Sequence, residues 1–199
     1  AFDGDGDRVV FVSNDYGIIE TEKIILLFFK ILNEESNNKK IVTTEIANLA
    51  LKHNIEKMNG ELIETEVGDR FVVNESNKSE ALFGAVTSGH FYFPEKSNSM
   101  DGLVSLIYFL KVVEIFGDEI NDELNAISHY KRVQKNIKIK PNSNIDLISL
   151  RSKLNSLLDS EKEKLVIRQS IWDPVIRVYY DYNNKNNFSI IEKELNLYI

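Results

Sequence analysis

Residues 39–86 read KKIVTTEIANLALKHNIEKMNGELIETEVGDRFVVNESNKSEALFGAV, and this stretch decides the fold. KKIVTTE (39–45) has the apolar, β-branched character of a short strand, and IANLALKHNI (46–55) has the spacing of a helix. Gly60 ends the turn that follows, ELIETE (61–66) is a second strand, VGDRFVVNESN (67–77) is a loop leading into a helix, and EALFGAV (80–86) is a third strand. Upstream, TEKIILLFFKILNEE (21–35) is apolar all round with acids at its start, which predicts a buried helix entered from Thr21. Downstream, TSGHFYF (87–93) crosses a loop into another strand, and SMDGLVSLIYFLKVVEIFG (99–117) is a long apolar helix stopped by Gly117. From about Lys23 the order is α-β-α-β-α-β-β-α. It predicts a three-layer α/β domain with a mostly parallel sheet over residues 21–120.

The pattern changes at GDEINDELNAISHYKRVQ (117–134), a charged segment that reads as a linker with some helix, centred on 121–131. Beyond it come a strand KNIKIK (135–140), a helix NIDLISLRSKLNSLLDSEK (144–162), strands KLVIRQS (164–170) and PVIRVYYDY (174–182), and a helix NFSIIEKELNLYI (187–199). Leu147, Leu150, Leu154, Leu157 and Leu158 give the first of these helices an apolar face with Asp146 at its edge. The β-α-β-β-α order predicts a small α+β domain over 132–199.

Composition narrows the function. With 199 residues, 43% of them hydrophobic, the chain can build one large core or two small ones. The net charge is −7 and no Lys/Arg block is long enough to track a phosphate backbone, so nucleic acid is not an expected partner. The longest apolar run, IILLFF at 24–29, is too short to span a membrane. There is no cysteine, which removes disulfides and thiolate metal sites and suits a cytoplasmic protein.

The chemistry begins at AFDGDGDRVVFVSNDYG (1–17). Asp3, Asp5 and Asp7 alternate with Gly4 and Gly6, and Arg8 follows. Carboxylates at every second position of an extended segment project to one side and repel unless a cation sits among them. Hard oxygen donors favour Mg²⁺ or Ca²⁺. A calcium hand is excluded, because its sixth and twelfth loop positions would fall on Arg8 and Asn14 instead of Gly and Glu. A haloacid-dehalogenase-type phosphatase would use Asp3 as nucleophile and Asp5 as general acid. It also needs a Lys and a further acidic pair, of which VGDR (67–70) could supply only part.

A third reading covers nearly the whole chain. DGDGDR (3–8) resembles the metal loop of the α-D-phosphohexomutases, and VVFVSNDYGIIETEKI (9–24) resembles the segment after it. TEVGDRF (65–71) resembles a loop of the phosphoglucosamine mutase branch. SGHFYF (88–93) resembles the second half of the sugar-recognition loop, usually Gly-Glu-x-Ser-Gly-His. RQSIWDPVIRV (168–178) resembles the phosphate loop of the last domain, usually Arg-x-Ser-Gly-Thr-Glu-Pro-x-Ile-Arg-Val. The resemblance implies an enzyme that moves a phosphoryl group between the 1- and 6-positions of a hexose or hexosamine phosphate, through a phosphoserine. It implies that Asp3, Asp5 and Asp7 hold Mg²⁺ and that Arg8 neutralises charge on the phosphoryl oxygens. It implies further that Ser88 and His90 contact sugar hydroxyls, and that Arg168, Ser170 and Arg177 bind the phosphate that is not reacting. Glucosamine phosphate is the expected substrate. The phosphomannomutase/phosphoglucomutase branch and a non-catalytic sugar-phosphate-binding relative remain as alternatives.

The chain departs from the family pattern in places. The serine loop, Thr-Ala-Ser-His-Asn-Pro or similar, does not occur in it. On the resemblance, residues 1–20 would be a remnant of a preceding domain, a hairpin with an exposed edge open to self-association. The chain alone would then be inactive, with an empty or weak metal site. Val86 stands where the sugar loop usually has Glu and cannot accept hydrogen bonds from hydroxyls. Ile171, Trp172 and Asp173 stand where Gly, Thr and Glu are usual. Without the resemblance, Asp69 and Arg70 read as partners in a turn.

Overall fold

The computed structural model describes residues 1–34, 36–127, 130–139, 146–170, 173–183 and 187–196. The chain forms two compact units, Ala1–Ser128 and His129–Ile199.

In the first unit, β1 (Val12–Ser13) and β2 (Gly17–Ile18) pair as an antiparallel hairpin, as the turn residues predict. The unit continues with α1 (Thr21–Asn33), β3 (Lys40–Thr44), α2 (Leu49–Lys57), β4 (Glu61–Thr65), α3 (Asp69–Lys78), β5 (Phe83–Val86), β6 (His90–Tyr92), α4 (Gly102–Phe116) and α5 (Ile120–Ala126). The main sheet has the order β4-β3-β5-β6. β3 is parallel to both neighbours, and only β6 runs antiparallel. This is the expected mostly parallel sheet of an α/β unit.

Both faces of the sheet are covered, which is why its strands read as apolar runs and not as alternations. Ile41, Phe83, Ala85, Phe91 and Phe93 face one core with Phe28 of α1, Leu51 and Ile55 of α2, and Tyr108 and Val112 of α4. Val42, Val86 and Tyr92 face a second, smaller core with Val72 of α3. The connections β3-α2-β4 and β4-α3-β5 leave in opposite directions across the sheet. Right-handed crossovers then place α2 and α3 on opposite faces. α4 starts at Asp101, whose Oδ1 accepts from the backbone N–H groups of Leu103 and Val104, and stops at Gly117. The expected linker 121–131 contains most of α5. Leu124 of α5 is fully buried, and the buried Lys23 ammonium donates to its carbonyl at 2.7 Å.

The second unit comprises β7 (Lys131–Lys138), α6 (Leu147–Asn155), β8 (Glu163–Gln169), β9 (Val175–Tyr182) and α7 (Phe188–Leu195). Its antiparallel sheet has the order β7-β9-β8. Leu165, Ile167, Ile176, Val178 and Tyr180 bury one face against Leu150 and Leu154 of α6 and Ile191 and Leu195 of α7. Two sequence boundaries move. β7 starts at Lys131, because every residue from 131 to 138 has a partner on β9. α6 ends at Asn155, because the chain must turn at Asp159, whose carbonyl accepts from the Lys162 and Glu163 amides, to enter β8.

Candidate active site

In the sheet of the first unit the chain passes from β3 out to β4 and then back across β3 to β5. Such a reversal opens a crevice at the carboxyl ends of the strands. The loop after β4 there leads into α3 at Asp69, and the turn after β5 carries Ser88 and leads into β6 at His90. His90 opens β6 at the same edge, because β6 runs against β5, with His90 opposite Val86.

The aspartate loop is fastened to this edge by backbone. Phe2 bridges Val9, Arg8 bridges His90, and the Val9 amide donates to the Gly89 carbonyl at 3.0 Å. Gly89 permits this approach: it sits at φ +97°, and a Cβ there would lie 2.7 Å from the Val9 carbonyl oxygen. Residues 4–6 bend, with Gly6 at φ +76°. The three carboxylates therefore converge by curvature and not, as the alternation suggests, by projecting from an extended segment. One oxygen from each of Asp3, Asp5 and Asp7 lies within 4.8 Å of the others. Asp3 is engaged by Arg8 through both oxygens: Nε donates to Oδ2 at 2.6 Å and the backbone amide to Oδ1 at 3.2 Å. The Arg8 side-chain bond holds the Asp3 carboxyl down at a pKa of about 2, so it is ionised at neutral pH.

His90 is the hub of the edge. Its Nδ1 lies 2.9 Å from Ser88 Oγ. Its Nε2 lies 3.4 Å from Asp7 Oδ1 and 3.7 Å from Asp69 Oδ2. Asp7 Oδ1 is buried and makes no hydrogen bond among the described residues. Asp7 thus belongs to two clusters of possible ligands among the described residues, one with Asp3 and Asp5 and one with Asp69 and His90. Asp69, read from sequence as a turn partner of Arg70, faces His90 instead, and the Arg70 guanidinium lies over the Phe71 ring at 4.6 Å. Val86 packs into the smaller core beside Val42 and Val72 and offers nothing to the site.

The remaining candidates lie in the second unit. Arg168 on β8 and Arg177 on β9 are directly opposite in the ladder, on the face turned away from Ile167 and Val178. Like charges in that position destabilise a sheet unless an anion bridges them. Arg177 Nε is buried without a hydrogen-bond partner among the described residues, and its Nη2 is 3.9 Å from Asp173 Oδ2. Ser170 is buried and shapes the turn between the strands. Its amide donates to the Val175 carbonyl at 2.9 Å, and its Oγ accepts from the Asp173 amide at 3.3 Å. Ile171 and Trp172 lie outside the described residues.

Residues 20–130 match the family description "Phosphoglucomutase/phosphomannomutase, alpha/beta/alpha domain III". The chain belongs to the phosphoglucomutase/phosphomannomutase family. It is 29% identical to the phosphoglucosamine mutase of Thermotoga neapolitana over 197 residues, which are 98% of this chain and 46% of that protein. The chain thus spans about half the length of the relatives it matches. Two crystal structures of family proteins share its fold. A phosphoglucomutase/phosphomannomutase family protein from Burkholderia thailandensis superposes with a TM-score of 0.75 at 19% identity, over 99% of this chain and 45% of the other. Aspergillus fumigatus N-acetylphosphoglucosamine mutase, in complex with GlcNAc-6P and magnesium, superposes with a TM-score of 0.73 at 15% identity, over 98% of this chain and 50% of the other.

Proposed function

We propose that the protein is a Mg²⁺-dependent, cytoplasmic sugar phosphomutase that interconverts glucosamine 6-phosphate and glucosamine 1-phosphate. The observation that carries this reading is the closure of the Asp3-Asp5-Asp7 loop onto the Ser88-Gly89-His90 turn, which brings three carboxylates beside a serine hydroxyl and an imidazole. The likeness to phosphoglucosamine mutases supports the choice of sugar, and the magnesium complex of the Aspergillus relative supports the choice of ion.

Three carboxylates within reach of one another, all oxygen donors, fit Mg²⁺. Bound there, the ion would draw charge from a phosphoryl oxygen. Arg8 is held by Nε to Asp3, and its remaining guanidinium nitrogens would meet the oxygens of the moving phosphoryl group. Ser88 and His90 would orient the sugar by its hydroxyls. Arg168 and Arg177 would grip the second phosphate, where paired guanidinium groups match its geometry. The 199 residues contain no serine loop of the family's kind, so the donor phosphoserine is assigned to sequence outside them.

The test is a coupled assay of the intact protein with Mg²⁺. Turnover of glucosamine phosphates is expected, with none from the 199 residues alone. Turnover only of mannose or glucose phosphates would move the protein to the sister branch. A second reading, a sugar-phosphate-binding relative without catalysis, rests on Val86, whose burial removes the usual acceptor for sugar hydroxyls. Absence of turnover with any hexose phosphate, alongside retained binding, would establish that reading.

A further inference from the structure

His90 Nε2 faces two carboxylates, and a carboxylate only accepts. An N–H at Nε2 suits that setting, and Nδ1 lies 2.9 Å from Ser88 Oγ on the other side of the ring. One N–H cannot serve two acceptors in line, and neither distance, 3.4 Å to Asp7 or 3.7 Å to Asp69, is that of a closed hydrogen bond. The imidazole is poised between them. Asp7 also has a second task, since it shares the cluster with Asp3 and Asp5. A cation on Asp7 weakens it as an acceptor and repels the positive end of the N–H dipole.

We propose that Asp69 is a positioning residue: it takes the Nε2–H of His90 when a cation occupies Asp7. Asp69 suits the task. It is the first residue of α3, at the carboxyl edge of the sheet, so its place is fixed by the fold and not by the aspartate loop. The neighbouring Arg70 lies over Phe71 and does not compete for it. Metal binding and imidazole placement are thereby coupled. The metal draws Asp7 away from the ring, and Asp69 receives the Nε2–H. This inference rests on the proposed use of Asp7 as a metal ligand.

The test is a double-mutant cycle read as Mg²⁺ affinity, measured on the whole chain by amide NMR titration carried into the millimolar range. In Asp69→Ala the imidazole has only Asp7 to turn to, and Mg²⁺ must compete with the ring for that carboxylate. Binding should weaken roughly fivefold, the equivalent of one hydrogen bond. In the His90→Ala background there is no N–H to receive, and Asp69→Ala should leave the affinity nearly unchanged. A loss of the same size in both backgrounds would mean that Asp69 acts only as a distant charge, and would overturn the proposal. No affinity change in the single variant would overturn it too. Failure of the unsubstituted chain to bind Mg²⁺ at all would remove the metal reading itself, an outcome distinct from binding without coupling.

Discussion

At the scale of single residues, the site depends on one glycine more than on any of its charged groups. Gly89 lets residues 8 and 9 lie against the turn before β6, and through that contact it sets the aspartate loop beside His90. Gly89→Ala would have to hold a left-handed backbone and fit a methyl group 2.7 Å from a carbonyl oxygen that cannot recede without breaking its own pairing. Strain of this kind costs about 1–3 kcal/mol. The variant should therefore melt lower, and its Mg²⁺ affinity should fall further than its stability, because the two halves of the site separate. Gly4→Ala is the control: nothing lies within 4 Å of a Cβ there, so its melting temperature should be unchanged. Equal behaviour of the two variants in both measurements would refute this account. The aspartates, Ser88 and His90 were legible in the sequence because each stands in a short motif. Asp69 was not, because its reach to His90 depends on strand order. β4 and β5 flank β3, and no local spacing reveals which loops then meet.

At the scale of elements, boundaries written as caps were readable and those set by tertiary turns were not. α4 keeps its expected stop at Gly117, whereas α6 ends at Asn155, short of an apolar pattern that runs on to Leu158. The start of α6 carries a pH-dependent device. Asp146 accepts from the amides of Ile148 and Ser149, each at 3.1 Å, and from Ser149 Oγ at 2.6 Å. The hydroxyl of Ser149, foremost, and these amides favour the ionised form, so the carboxyl titrates below its ordinary value of 3.8. A lowered folded-state pKa stabilises the fold above the unfolded value, and that contribution is lost as pH falls through the folded one. Asp146→Asn keeps an acceptor for the helix start but does not titrate. Melting of the variant, followed by circular dichroism from neutral pH to below 3.8, should fall less steeply than that of the unsubstituted protein. Parallel curves would show that the cap does not contribute through its charge.

At the scale of the whole molecule, the sequence was legible as an order of motifs, and the structure distributes that order over two units. The metal-type loop, Ser88 and His90 lie in the first unit, and Arg168, Ser170 and Arg177 lie in the second. In the proposed mutase this division separates two kinds of work. Groups beside the reacting phosphoryl meet charge that changes in the transition state, so removing one lowers kcat. A phosphate that does not react keeps its charge throughout, so its partners bind ground state and transition state alike, and removing one raises KM while kcat holds. Arg177 lies opposite Arg168, and its Nε has no hydrogen-bond partner among the described residues, which leaves it a donor for such a phosphate. Hydrogen bonds to charged groups contribute about 1.5–3 kcal/mol, so Arg177→Met in the intact enzyme should raise KM roughly ten- to a hundredfold with kcat little changed. Asp5→Asn should do the reverse, lowering kcat with a smaller effect on KM. Steady-state kinetics of both variants decide the matter. A fall in kcat for Arg177→Met as large as that for Asp5→Asn would place Arg177 at the reacting group and undo this division of labour.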